Sequence, residues 1–235
     1  MRTQTLRGNW QLASKAHQHI LSTTPRPATP EIHIAICGAA DSGQRTLATS
    51  YIRDWHADKV DDSDMPTRCM RSIAEREVVV TLTYPRCEWL THHDGGVRAS
   101  MRATLARADG LLYVYDVGSR ASFDGLEGIH GCVEEEKGEG RRDGVVCAVV
   151  AGGVERARTE WEVTEEAGRR LAEGWGAGFV SFDAREDRDG VVRGMVELMV
   201  REALRRREGG KGGLRKGVGK KSPLAVLKRV LSVSR

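Results

Sequence analysis

No stretch of this 235-residue chain approaches the roughly twenty apolar residues that a membrane-spanning helix needs, and no secretory apolar core opens it. Cysteine is scarce and unpaired in pattern: five residues, an odd number, with no Cys-x-x-Cys among them. That argues against a disulfide framework and against a zinc ribbon, and it favours a reducing, intracellular setting. Acidic residues are missing altogether from positions 1–30. The sequence also has no Ser-His-Asp elbow, no paired catalytic carboxylates and no well-spaced set of metal ligands, so the usual hydrolase and metalloenzyme classes find no support.

What is present fits one domain with a tail at each end. Residues 1–30 carry Arg2, Arg7 and Lys15 and end in the breaker-rich STTPRPATP. They read as a disordered extension, with an organelle transit peptide as the alternative because Trp10, Ala13, His17, Ile20 and Leu21 share a helical face. The net charge is +4, yet residues 205–235 alone hold eleven Lys or Arg against one Glu, which leaves about −6 for the rest. A domain over 31–206 and a basic segment over 207–235 follow from that break.

Within the domain, strands and helices alternate. Ile32, Ile34 and Ile36, with Ala35 and Cys37 between them, form an apolar run suited to a strand covered on both faces. EVVVTL (77–82) is the second arm of an expected hairpin whose first arm lies near 68–74. GLLYVYDV (110–117), VVCAVVA (145–151) and FVSF (179–182) are further strands. Helices are expected after the first strand, over 98–108, over 121–136 with Ser122 as cap, after Thr164 as cap with Leu171 and Trp175 inward, and over 191–206. YPRCEWLTHHDGGV (84–97) reads as a long loop. Its Cys87, His92, His93 and Asp94 match no standard ligand spacing and are read as surface polar groups. The predicted fold is α/β, a three-layer arrangement like that of the P-loop NTPases, with a mostly parallel six-stranded sheet and helices on both faces.

In such sheets ligands sit at the carboxyl ends of the strands. The candidate surface is made by Gly38 to Thr46, Thr83 to Cys87, Gly152 to Glu155 and Asp183 to Arg185. GAADSGQRT is the informative piece. A phosphate loop needs Gly, four residues, Gly, Lys, then Ser or Thr, because backbone N–H groups cradle the phosphates, the Lys neutralises them and the hydroxyl holds magnesium. Gly38, Ala39, Ala40, Asp41, Ser42 and Gly43 keep the loop, but Gln44 stands at the Lys position and Arg45 at the hydroxyl position, with Thr46 one residue late.

RADGLLYVYDVGSRASFDGLEGI (107–129) and EWEVTEEAGRRLAEGWGAGFVSFDAR (160–185) resemble the Ras family of small GTPases, and the likeness extends over about 32–205. The resemblance implies the GTPase fold, signalling through switch-like loops to protein effectors or regulators, a monomer, and GTP or GDP with magnesium as cofactor wherever nucleotide binding is kept. It fails where the nucleotide would need it. Thr83, Tyr84, Pro85, Arg86 and Cys87 stand where the family has its metal-linked Asp, a Gly and a catalytic Gln. Gly152, Gly153, Val154 and Glu155 stand for Asn-Lys-x-Asp, and of these only Glu155 offers a guanine edge an acceptor. Asp183, Ala184 and Arg185 look like the last base-contacting loop, whose useful group is largely backbone. Pro66 and Thr67 match the first switch only as a dipeptide. A lost charged phosphate contact costs about 1.5–3 kcal/mol, and a lost water-positioning or metal-holding group costs orders of magnitude in rate.

The expectation is therefore a Ras-like pseudo-GTPase acting as a regulatory binding module, with no catalytic and no metal-binding residues assigned. The alternative is a divergent, working GTPase in which Arg45, Thr46 and Glu155 perform the missing roles. The tail supplies the remaining expectation. REGGKGGLRKGVGKK (207–221) is a flexible basic linker, and Ser222 and Pro223 open LAVLKRVLSVSR, an amphipathic helix with Leu224, Val226, Leu227, Val230, Leu231 and Val233 on one half. No cysteine follows Cys147, so C-terminal prenylation is not expected, and the basic helix suits an anionic membrane surface instead. Nuclear or nucleolar targeting, nonspecific RNA contact and a solubilising tail stay open beside it; no specific nucleic acid is expected. The expected location is cytoplasmic, peripheral on the inner face of a membrane.

Overall fold

The computed structural model describes residues 29–52, 67–85, 87, 95–137, 145–185 and 190–209. Among these residues six strands, β1 (Glu31–Gly38), β2 (Thr67–Ile73), β3 (Arg76–Thr83), β4 (Gly110–Asp116), β5 (Val146–Gly152) and β6 (Gly178–Ser181), alternate with five helices. The helices are α1 (Gln44–Ile52), α2 (Gly95–Arg107), α3 (Arg120–Lys137), α4 (Glu165–Gly174) and α5 (Val191–Gly209), and a 3-10 turn lies at Arg158–Glu160. The sheet order is β2-β3-β1-β4-β5-β6, and every pairing is parallel except the β2–β3 hairpin.

Side chains alternate across each strand, and both faces of the central strands are covered. Ile32, Ile34 and Ile36 join Leu47 and Tyr51 of α1 and Val196, Met199 and Val200 of α5 in one core. Ala35 and Cys37 face the other way, with Tyr113, Tyr115 and Val149, under Leu105 of α2, Leu126 and Val133 of α3 and Ala172 of α4. This gives three layers. β2 departs from the continuous apolar pattern because it is an edge: Cys69 and Ile73 point inward while Met70 is 44% exposed.

Four expectations need correction. Ser122 does not cap α3. Ser119 does, its hydroxyl accepting from the Ser122 N–H at 3.2 Å, while the buried Ser122 hydroxyl donates to the Ser119 carbonyl at 2.8 Å and accepts from the Asp116 N–H at 3.0 Å. A serine three residues earlier is better placed to meet the orphan N–H groups of the first turn. Gly95 and Gly96 belong to α2 instead of the loop. α5 runs on to Gly209, past the expected linker boundary, because its last turn is tied down by ion pairs of Arg207 and Glu208. Cys87 is no surface group: it is 1% exposed in the core. His92, His93, Asp94, Arg86, Pro66, residues 1–28 and the tail beyond Gly209 lie outside the described residues.

Candidate functional site

β3 and β4 flank β1 on opposite sides, so the chain crosses over in both directions from β1 and opens a crevice at its carboxyl end. The loop that follows β1 fills that crevice. Asp41 and Gly43 take left-handed conformations, φ 62° and 92°, and the Ser42 N–H returns to the Ala39 carbonyl at 3.2 Å. The Leu47 N–H then bonds the Gly43 carbonyl at 3.0 Å and α1 begins. Gly38 is required for close approach: a Cβ there would lie 2.3 Å from Ser42 Oγ and 2.5 Å from the Val114 carbonyl oxygen. Ala40 and Asp41 are exposed, and Ala39 is half-buried.

The decisive side chain is Gln44. It turns back into the fold, with Nε2 3.1 Å from the Gly38 carbonyl and 3.3 Å from the Ile36 carbonyl. Its two N–H groups are shared among these carbonyls and that of Pro85 at 3.5 Å, leaving an amide oxygen that repels anions. Arg45 and Thr46 are exposed on the outer side of α1. Ser42, 2% exposed, has a hydroxyl oxygen with no hydrogen-bond partner among the described residues.

Beside this loop, β5 ends at Gly152, where a Cβ would stand 3.6 Å from the Ser42 carbonyl oxygen. Gly153 has φ 73°. Here the structure adds a pair that sequence reasoning missed: Arg156 Nη1 donates to Asp116 Oδ1 at 2.6 Å, and the Gly118 N–H donates to the same oxygen at 2.8 Å. Two glycines make room for it. A Cβ on Gly118 would lie 2.2 Å from Arg156 Nη1, and one on Gly153 would lie 2.7 Å from Asp116 Oδ1. The Arg156 carbonyl accepts from Trp161 Nε1 at 3.2 Å, and Arg158 covers the Trp161 ring at 3.7 Å. The only sequence signal was the acidic residue at the end of an apolar strand; its partner is 40 residues away.

Glu155 directs one carboxylate oxygen, Oε2, into the protein, where it has no hydrogen-bond partner among the described residues. The last loop follows β6, joined to β5 by the Phe182 N–H and Ala151 carbonyl at 2.8 Å. There Asp183 accepts from the Arg185 N–H at 2.7 Å in a tight turn, and Ala184 packs onto the core. The described residues of all four predicted segments thus lie at the carboxyl end of the sheet, the first of them next to Pro85 and Gly152.

In the sequence the four segments and their neighbours Asp116 and Arg156 carry four acids, Asp41, Asp116, Glu155 and Asp183, and four arginines, Arg45, Arg86, Arg156 and Arg185, and Arg156 is paired with Asp116, so these residues create no excess of positive charge for phosphates. The position next to the second glycine supplies no cation, and Thr83 and Tyr84 at the end of β3 supply no carboxylate for a metal. No protein-family model matches the chain, and no curated protein matches it.

Proposed function

We propose that this chain is a Ras-like protein of the P-loop NTPase fold in which GTP binding and hydrolysis are weakened or lost, acting as a regulatory binding module in signalling. The observation that carries this reading is the Gln44 amide, whose nitrogen is spent on the carbonyls of Ile36 and Gly38 where a working loop would present an ammonium to phosphate. The loop's backbone shape, its place where the strand order reverses at β1 and the position of four loops at that end of the sheet support a descent from nucleotide binding; the side chains support its loss. Protein effectors or regulators are the partners, met through the loops around Thr83 to Cys87, and the basic C-terminal segment is the contact with an anionic membrane surface.

One observation favours the rival reading of a working GTP-binding protein. The Glu155 oxygen Oε2, buried and without a hydrogen-bond partner among the described residues, is an acceptor that a turn of the side chain would present to the N–H groups of a guanine edge. Calorimetric titration of the full chain with GDP and with a non-hydrolysable GTP analogue, with and without magnesium, separates the two. The expected result is no heat of binding at high micromolar ligand. Tight, magnesium-dependent binding would overturn the proposal and make turnover the next assay.

A further inference from the structure

The Pro85 carbonyl has two donors near it: the Cys87 thiol at 3.3 Å and Gln44 Nε2 at 3.5 Å. The same Gln44 nitrogen reaches the Gly38 carbonyl at 3.1 Å and the Ile36 carbonyl at 3.3 Å. A primary amide has two N–H groups and a carbonyl oxygen has two lone pairs, so this atom shares its donors between the carboxyl end of β1 and the loop after β3. Three carbonyl oxygens around one amide atom also decide its orientation, since the amide oxygen in that place would face three acceptors and no donor.

We propose that Gln44, the first residue of α1, is a built-in clasp between the carboxyl end of β1 and the loop after β3, holding the loop 39–43 that it closes and the loop after β3 in one arrangement without any ligand. The idea rests on the reading of this site as one that works without nucleotide, and it adds how. In an ordinary two-loop phosphate site a ligand bridges the loops, so their joint surface changes with its presence. Here a side chain makes the bridge. Cys87, 1% exposed, donates its thiol to the same carbonyl, so the Pro85 oxygen accepts both from a core residue and from α1. The consequence is a partner surface that is constant instead of switched.

Hydrogen exchange on the full-length chain tests this. Gln44→Met and Gln44→Glu keep much of the shape and remove the donors, the second also setting a carboxylate against the three carbonyls. Both should speed exchange in segments 39–43 and 83–87 by about fivefold or more, the factor one net hydrogen bond supports, while the β2–β3 hairpin exchanges as before. Gln44→Lys, whose ammonium can donate to the same carbonyls, should restore protection. Unchanged exchange over 83–87 in both donor-free variants would overturn the clasp, as would acceleration shared equally by the hairpin. Adding GDP or the GTP analogue with magnesium to the wild-type chain separates the two readings: protection gained at these loops would sink the proposed function, while the Met and Glu variants still decide the clasp.

Discussion

The guanidinium of Arg207, in the last turn of α5, donates to both carboxylate oxygens of Asp109 at 2.6 and 2.7 Å, across a sequence separation of 98 residues. Those two bonds come from Nη2; Nε also donates to Asp109 at 3.1 Å, and Nη1 donates to the Glu31 carbonyl at 2.8 Å. Asp109 in turn accepts from the His33 N–H at 2.9 Å and gives its own carbonyl to the Val146 N–H at 3.2 Å. Asp109 therefore gathers β1 and α5 through its side chain and β5 through its backbone carbonyl, at the amino end of the sheet, opposite the candidate site.

The two partners are expected to be unequal. Arg207 is 45% exposed and Asp109 17%. Removing the guanidinium in Arg207→Ala forfeits a solvent-screened pair and should cost about 0.5–1 kcal/mol. Asp109→Ala also strands the His33 N–H and should cost about 2–3 kcal/mol. Urea denaturation of both variants checks this, and the reverse ranking would refute it.

The β2–β3 turn is a place where a better sequence is easy to name. Ile73 pairs with Arg76, so Ala74 and Glu75 form a two-residue loop, and both have positive φ, 52° and 61°. That geometry belongs to a type I′ turn, which favours Asn-Gly. Neither alanine nor glutamate adopts it without cost. The double substitution Ala74→Asn, Glu75→Gly should stabilise the protein by about 1–2 kcal/mol; a lowered melting temperature would show that the turn is held for another reason.

That turn also marks the limit of what the sequence makes legible. The arms are plain, because VVVTL and its neighbours must be buried, but Ala74 and Glu75 carry no turn signal, and only their position between paired strands forces the conformation. The same division holds at the candidate site. Gly38 and Gly43 declare the loop, since the chain can bend that way only with glycine there. The direction of Gln44, the Arg156–Asp116 pair and the orphaned oxygen of Glu155 depend on neighbours brought from other strands. Ser119 took the cap from Ser122 for the same reason: the Ser122 hydroxyl is occupied by the Asp116 N–H at the end of β4 and by the Ser119 carbonyl.

Gly168 and Tyr115 offer a paired test of packing. A Cβ on Gly168 would lie 2.2 Å from the Tyr115 hydroxyl oxygen and 2.6 Å from Phe179 Cε2, so α4 sits against the sheet only because that position is bare. The Tyr115 hydroxyl is buried with no hydrogen-bond partner among the described residues, and burial raises its pKa well above the ordinary value. Gly168→Ala should cost about 1–3 kcal/mol by overpacking. Tyr115→Phe should be neutral or mildly stabilising, because it removes an unsatisfied polar group. In the double variant the cost of the alanine should shrink, the phenylalanine having vacated part of the contested space. Additive costs in a thermal-denaturation cycle would mean that Phe179, not the hydroxyl, sets the limit.

Glu202 makes the stability depend on acid in a predictable sense. Its carboxylate accepts from Arg205 Nε and Nη2 at 2.7 and 2.6 Å and from Arg206 Nε at 2.9 Å. The hydrogen bonds from Arg205, then those from Arg206, hold its pKa below the ordinary 4.5 against the opposing effect of burial. A carboxyl whose folded pKa is depressed stabilises the fold fully above its unfolded pKa, and that contribution is lost as pH falls through the folded value. Glu202→Gln should therefore be less stable than the wild type at neutral pH. The gap should begin to close as pH drops past 4.5 and be gone once the folded carboxyl is protonated. Melting temperatures of the two proteins across that range decide the matter. A gap that stays constant would assign the residue's contribution to packing in α5 and not to its charge.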